Sequence, residues 1–244
     1  MFSRIYPPTY TSEEFRMKDQ TQNPFPRAEQ HHTFWALILL GGFFGVYTFS
    51  VRGGVFCNAQ TANIALFVMH LGLGDWARAL YLLIPMSAYF SGTVLSEYLN
   101  RKLSHNRYLH WDVALMVFDI AVVIFLGLLP KSAPDQICQV MLNFICSMQF
   151  NTFRMNEGTP MATTFVTNHV RETGSHLVRS VMDKDARSAV LWKLHASMIG
   201  FFMLGGLISA FMCRFFDVRA IFGALPILLY VLIRLMKKAP SQNF

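Results

Sequence analysis

An all-α, polytopic integral membrane protein is the fold class this chain predicts, and three observations predict it. Of its 244 residues, 53% are hydrophobic and only 14% are charged, where soluble domains carry roughly 25% charged residues. Several apolar runs reach the about 20 residues that cross about 30 Å of hydrocarbon. A polar signature occurs twice, as Gln60-Thr61-Ala62-Asn63 and Val166-Thr167-Asn168-His169, with Thr61 and Thr167 lying 106 residues apart. Each copy follows an apolar span and a Gly- or Pro-bearing break, Arg52-Gly53-Gly54 in one and Arg154 to Pro160 in the other. The apolar segments recur at about the same offset, which reads as a duplicated unit.

The elements follow in order. Residues 1–32 are polar and charge-balanced and lack the apolar core of a secretory signal, so they predict a mobile cytoplasmic tail with at most a surface-bound helix in Ser12–Gln20. The first membrane repeat covers 33–130. Its first span, Thr33–Val51, ends where Gly53 and Gly54 relax the backbone. Val55–Leu73 is apolar on average yet carries Asn58, Gln60, Thr61, Asn63 and His70. Trp76–Leu99 is a span with a kink expected at Pro85, a basic loop with Arg101, Lys102, His105 and Arg107 follows, and Trp111–Leu129 is stopped by Pro130.

The second repeat covers 131–238 and is followed by a short tail, 239–244. Gln136–Phe153 is a span, and Met161–Val181 is the polar counterpart, carrying Thr163, Thr164, Thr167, Asn168, His169, Arg171 and Glu172. Ala189–Cys213 contains Gly200, Gly205 and Gly206, small residues that let helices approach. Ile221–Met236 is the last span, with Pro226 inside and Lys237-Lys238 as its stop. Trp35, Trp76, Trp111 and Trp192 fall near predicted span ends, as interfacial anchors do.

If both polar segments cross fully there are eight crossings; if they dip in and return there are six. The arrangement with about six transmembrane helices plus two polar broken or re-entrant segments gathers more of the 21 Lys and Arg residues on one side, as cytoplasmic loops do. An odd number of crossings per half then makes the two repeats inverted, with both termini cytoplasmic and the polar segments meeting at depth. Broken helices at that depth persist only where protein or a wet cavity encloses them.

Composition also excludes. The formal net charge of +7 sits between and beside apolar spans, so it faces lipid rather than nucleic acid. The four cysteines, Cys57, Cys138, Cys146 and Cys213, have neither CxxC spacing nor a disulfide framework. No metal signature, phosphate loop or nucleophile pair is visible, so no cofactor and no enzymatic activity are expected. The 14 methionines and many phenylalanines read as packing groups.

Candidate solute-binding residues are Gln60, Thr61, Asn63, Thr167, Asn168 and His169, which offer amide, hydroxyl and imidazole groups at the repeat interface, with the alternative that they satisfy each other or free backbone. Arg52 and Arg154 flank the breaks and are candidates for an anion, or for loop carbonyls and headgroups. Asp119, in the middle of Trp111–Leu129, is the candidate for proton coupling, with a structural pair to Lys193 as the competing reading. His195 reads as a packing histidine.

Tyr47-Thr48-Phe49, the block Arg52-Gly53-Gly54-Val55-Phe56-Cys57-Asn58-Ala59-Gln60-Thr61-Ala62-Asn63, His110-Trp111, Gln149 with Phe153-Arg154, and Ala162-Thr163-Thr164 closely resemble the YoaK family of bacterial integral membrane proteins. The resemblance covers about residues 33–238 and implies a multi-spanning protein of the bacterial cytoplasmic (inner) membrane, with no substrate attached to the family. The chain departs from the family pattern in two places. The usual Thr-Gly-Asn stands here as Thr61-Ala62-Asn63 and Thr167-Asn168-His169, and Gly45 replaces an acidic residue common near the end of the first span.

Together these readings predict a secondary transporter or exporter of a small polar or anionic solute, working in the lipid bilayer, with a homo-oligomer compatible. The alternative is a non-transporting membrane sensor or assembly partner that uses the N-terminal tail.

Overall fold

The structure, a computed structural model, describes residues 25–103 and 110–237. The tail before residue 25 with Ser12–Gln20, the loop residues His105 and Arg107, and the end from Lys238, including 239–244, lie outside the described residues. A 3-10 turn, Arg27–Glu29, leads into α1 (His31–Val51). It is followed by α2 (Gln60–Gly72), α3 (Trp76–Leu103), α4 (Trp111–Leu128) and α5 (Asp135–Thr152). A small hairpin, β1 (Met155–Asn156) with β2 (Thr159–Pro160), precedes α6 (Thr167–Met182) and α7 (Ala186–Phe216). A 3-10 segment, Asp217–Ala224, runs into α8 (Leu225–Met236).

Four stretches are long and apolar enough to cross a membrane: His31–Val51, Trp76–Lys102, Trp111–Leu128 and Ala186–Met236. They fit a membrane protein, with four such stretches where about six crossings were expected. The other predicted spans differ for identifiable reasons. Helix α5 has 18 residues, but Gln139, Asn143, Ser147 and Gln149 are buried along it, so its average is not apolar. The last span is not a separate element in hydropathy, because α7 turns into α8 through Asp217, whose φ of 51° breaks the helix. Pro226 lies in the first turn of α8 and not inside it, where its missing N–H leaves no hydrogen bond unmade. Pro85, by contrast, is inside α3. The two polar helices have 13 and 16 residues, short of the about 20 that span hydrocarbon.

Helix α1 is the centre of the molecule. Two thirds of its apolar window, 67%, is buried, against 28% for α3, and its Phe34, Leu37, Ile38, Leu40, Phe43 and Phe44 have no exposure. It packs most extensively on α7, while α3 packs most extensively on α5 and α4 on α8. The α1–α7 crossing is a backbone contact. A Cβ at Gly42 would fall inside the Phe202 carbonyl, and one at Gly205 inside the Leu39 carbonyl. The α3–α5 crossing uses the same device once, with Gly92 set against Phe144 O and Ser147 Oγ. Without a hydrophobic drive between helices in lipid, such close approach supplies the dispersion contact that holds them.

The breaks have turn chemistry. Gly53 and Gly54 take φ of 77° and 72°, values open to glycine and strained for other residues. The hairpin turns through Glu157 (φ 45°) and Gly158 (φ 78°), the two left-handed central residues of a tight two-residue turn. Trp35 and Trp111 use their indole N–H groups between helices, donating to Ser197 Oγ and Thr152 Oγ1 at 2.9 Å each, whereas Trp76 is exposed. Residues before α1 lie against the bundle, where Arg234 donates to Gln30 Oε1 at 2.7 Å.

The glycine crossing is testable. Gly205→Ala should lower the stability of the detergent-purified protein by roughly 1–3 kcal/mol or more, because rigid backbone has no room to yield. Gly200→Ala, on the same helix with nothing within 4 Å of its new Cβ, should leave the melting temperature unchanged or slightly raised. Equal melting temperatures for the two variants would refute the close-contact account.

Candidate functional site

The site is built where the two breaks meet. Arg52 caps α1 and has no exposure. Its carbonyl accepts from Gln139 Nε2 at 2.6 Å, its Nε donates to Tyr47 Oη at 3.3 Å, and its Nη1 lies 3.4 Å from Asp135 Oδ1. Its Nη2 has no partner. Gly53 is what admits Gln139, since a Cβ there would meet Gln139 Nε2 at 2.7 Å.

Five residues further on, Cys57 N–H donates to Thr48 Oγ1 at 3.2 Å, and the Cys57 and Cys146 sulfurs lie 3.6 Å apart. Asn58 then does what no other side chain among the described residues does for the two breaks: its amide donates to Gly41 O on α1 at 2.8 Å and to Thr164 O in the second break at 2.6 Å. Gly45 leaves the space for it, because a Cβ at Gly45 would meet Asn58 Oδ1 at 2.9 Å. The departure from the family pattern at Gly45 therefore has a physical counterpart, a polar amide lodged where a side chain would stand.

Asn63 closes the first break on itself. Its Oδ1 accepts from Phe56 N at 3.1 Å and its Nδ2 donates to Phe56 O at 2.6 Å. His169 does the same for the second, its Nε2 lying 3.0 Å from Ala162 O. Gln60 Nε2 donates to Asn143 Oδ1 at 2.8 Å, and Asn143 Nδ2 donates in turn to Gln139 O at 2.8 Å. The first break is thus tied to α5 at two levels, through Gln139 and through Asn143.

The remaining predicted residues are placed differently. Thr61 and Thr167 are exposed in the first turns of α2 and α6, and among the described residues their hydroxyls make no hydrogen bond. Asn168 accepts from Arg171 at 2.9 Å on the outer face of α6. Arg154 is exposed and held by Glu97 at 2.6 Å and by Asn151. These four do not join Arg52, Asn58, Gln60 and Asn63. Asp119 is fully buried on α4, and neither carboxylate oxygen has a partner. Lys193 is exposed and sits 5.7 Å from its neighbour Trp192, so the Asp119–Lys193 pair is not formed. Instead Asp119 lies within electrostatic reach of Cys146.

Three groups were not among the predicted site residues. Thr163 and Thr164 are fully buried; the Thr163 hydroxyl has no partner among the described residues, and the Thr164 hydroxyl faces the Tyr89 phenol. Helix α5 carries a ladder of Asp135, Gln139, Asn143, Ser147 and Asn151 at four-residue steps, which keeps them on one slowly drifting face. That spacing was the available signal. His195 is the third: it is buried, and its Nδ1 lies 2.8 Å from His169 Nδ1. Among the described residues no group of three or more His, Cys, Asp or Glu side chains is arranged to hold a metal ion.

What the arrangement can do chemically follows from its unpaired atoms. The hydroxyl of Thr163 offers a donor and an acceptor, Arg52 Nη2 and Gln139 Oε1 add a charged donor and an acceptor beside the first break, and the Asp119 carboxyl can take or release a proton. Buried polar groups are nearly always satisfied, so each of these unsatisfied ones calls for a physical explanation.

Comparison with known proteins gives the chain a family without giving it a function. No curated protein matches the chain, and no solved structure matches it. One family model does match, over residues 33–234, from the start of the first membrane helix to two residues before the end of α8. The chain belongs to that family, described as Protein of unknown function (DUF1275).

Proposed function

We propose that the protein is a secondary carrier or exporter of a small polar or anionic solute in the bacterial cytoplasmic membrane, with both termini cytoplasmic and two inverted repeats that rock against each other. The observation that carries the proposal is the Asn58 amide on Thr164 O, a contact between two positions 106 residues apart, which is the offset of the sequence repeat. Three further relations support it. Asn63 and His169 stand at the same offset, and each bonds a carbonyl seven residues before itself. Helices α1 and α5 open the two halves, and each lies chiefly on the third helix of the other half, α7 and α3. The polar helices α2 and α6 each begin directly after a break. Discontinuous helices that meet at a repeat interface are the arrangement in which many carriers bind their solutes.

In this reading the solute meets buried polar groups that lack partners, the Thr163 hydroxyl beside α1 or the Arg52 guanidinium at its end, with Asp119 exchanging a proton during the cycle. Asn63 holds its loop rather than the solute, and Thr61 and Thr167 are exposed. The bilayer is the protein's environment and the solute its only required partner; the chemistry offered is recognition and not bond breaking.

A thermal-shift screen of the purified protein against small carboxylates, phosphates and polyols checks the proposal. A true ligand at about 100 times its dissociation constant should stabilise the fold by about 2.7 kcal/mol. The response should vanish in the double variant Thr163→Val, Thr164→Val and persist in Thr61→Ala, Thr167→Ala. No stabilising solute, or a response lost only in the second double variant, counts against it. Asn58→Ala should destabilise the protein by about 1–3 kcal/mol, since two buried carbonyls lose their donor.

Asp119→Leu provides a separate check. Removing a buried carboxyl with no partner should raise the melting temperature, by about 1 kcal/mol or more in stability, while uptake or efflux of the identified solute is lost. A lower melting temperature would mean that Asp119 has a stabilising partner in the membrane.

A further inference from the structure

The relation of α6 to α7 contains a second group of titratable side chains, apart from the groups just described. His169 is fully buried and its Nε2 faces Ala162 O at 3.0 Å. A carbonyl only accepts, so Nε2 carries the hydrogen, and in the neutral ring Nδ1 is then an acceptor. Its partner at 2.8 Å is His195 Nδ1, which must therefore be the donor. His195 is left with a basic Nε2. The same accounting fixes His176. Ser188 Oγ lies 2.6 Å from Asp185 Oδ2 and donates to it, so it accepts from His176 Nδ1 at 2.9 Å. His176 Nε2 faces Glu172 Oε2 at 3.5 Å, and its ring stacks on His195 with centroids 6.2 Å apart and planes 9° apart.

We propose that the His169–His195 pair is a second proton site of this carrier, in addition to Asp119, and holds one proton. The inference rests on the carrier reading. A proton added to His195 Nε2 makes that ring an imidazolium that still donates from Nδ1 to His169, so one charge is accommodated with the existing bond strengthened. A second proton has only His169 Nδ1 left, where it would set two N–H groups against each other at 2.8 Å. The pair thus takes one proton and refuses two.

The surroundings suit an entry route. From α6, Glu172, Arg171 and His176 act on His195 electrostatically, and Arg171 also pairs with Glu172. From the start of α7, Asp185 reaches His176 through Ser188. From α1, the other helix packed on α7, the neighbouring contact is Trp35 to Ser197. His195 lies about 14 Å into a helix about 46 Å long, nearer its first end than its last. The inner end of the pair is Ala162, next to Thr163 with its unpartnered hydroxyl, so a change in the pair is felt there. The first half has no such device. At the same offset of 106 residues it carries Asn63, Tyr89 and His70, of which Asn63 makes the loop bond without a titratable group.

The test uses the full chain carrying Asp119→Leu, which removes the other proton-exchanging group and serves as wild type for the histidines, in proteoliposomes adsorbed to a solid-supported membrane and jumped between pH values, with protons as the only probe. This chain, wild type at both histidines, should give a transient charge displacement that saturates as the pH falls. His169→Asn keeps the loop bond, as Asn63 does in the first half, and should lose the displacement while eluting and melting as a folded protein. His195→Gln should lose it too. A displacement that survives in both variants, or one absent from the chain with both histidines, overturns the proposal. The carrier reading is judged separately by the solute screen: a stabilising solute without this displacement leaves a carrier without the histidine site, and proton displacement without any solute leaves the proton site standing alone.

Discussion

Inside a bilayer every backbone carbonyl and N–H needs a partner from the protein itself, because no water is there to supply one. A buried break in a helix must be repaid locally in the same way, and the amide of Asn58 is where this chain does so for both breaks together. By donating to Gly41 O and to Thr164 O, it satisfies a carbonyl of the central helix and a carbonyl of the opposite loop with one planar group. Gly45 beneath it and Gly41 beside Thr164 are small because the amide and the loop occupy that space. The clasps of Asn63 on Phe56 and His169 on Ala162 close the same loops from their helical ends. Take away these three side chains and the breaks have no reason to hold their shape.

Polar groups left over from that settlement define the interior. The α5 ladder is spent mostly on backbone: Gln139 on Arg52 O, Asn143 on Gln139 O, Ser147 on Phe144 O. Thr163, Asp119 and one nitrogen of Arg52 are not spent. The distinction separates groups that build the site from groups that are available to a visitor, and it assigns Asn63 to the first class although its residue type alone suited the second.

Much of the frame was legible in the residues. Runs of apolar residues located α1, α3, α4 and α7, and Gly53, Gly54, Gly158 and Pro160 marked the breaks within a residue or two. The duplicated polar signature drew attention to the right loops. Within them the first helical residues, Thr61 and Thr167, are exposed, while Asn58 and Thr164 just before them meet each other. Helix α5 was hard to weigh for a different reason. Its polar positions are buried by protein and not by lipid, a distinction hydropathy does not make. The His169–His195 contact joins residues on two helices and leaves no trace in either segment alone.

The α1–α7 crossing has one more implication. Where Gly42 and Gly205 bring backbone against backbone, no side chains mesh, so nothing like a gear tooth resists a change of angle between the helices. The two rods touch at a point, and a point of contact that cannot be compressed but is free to turn is a fulcrum. Any tilting of one half on the other would have its axis there, within a few residues of Gly41 and Gly45, so that a small swing at the glycines becomes a larger displacement at the far ends of both helices.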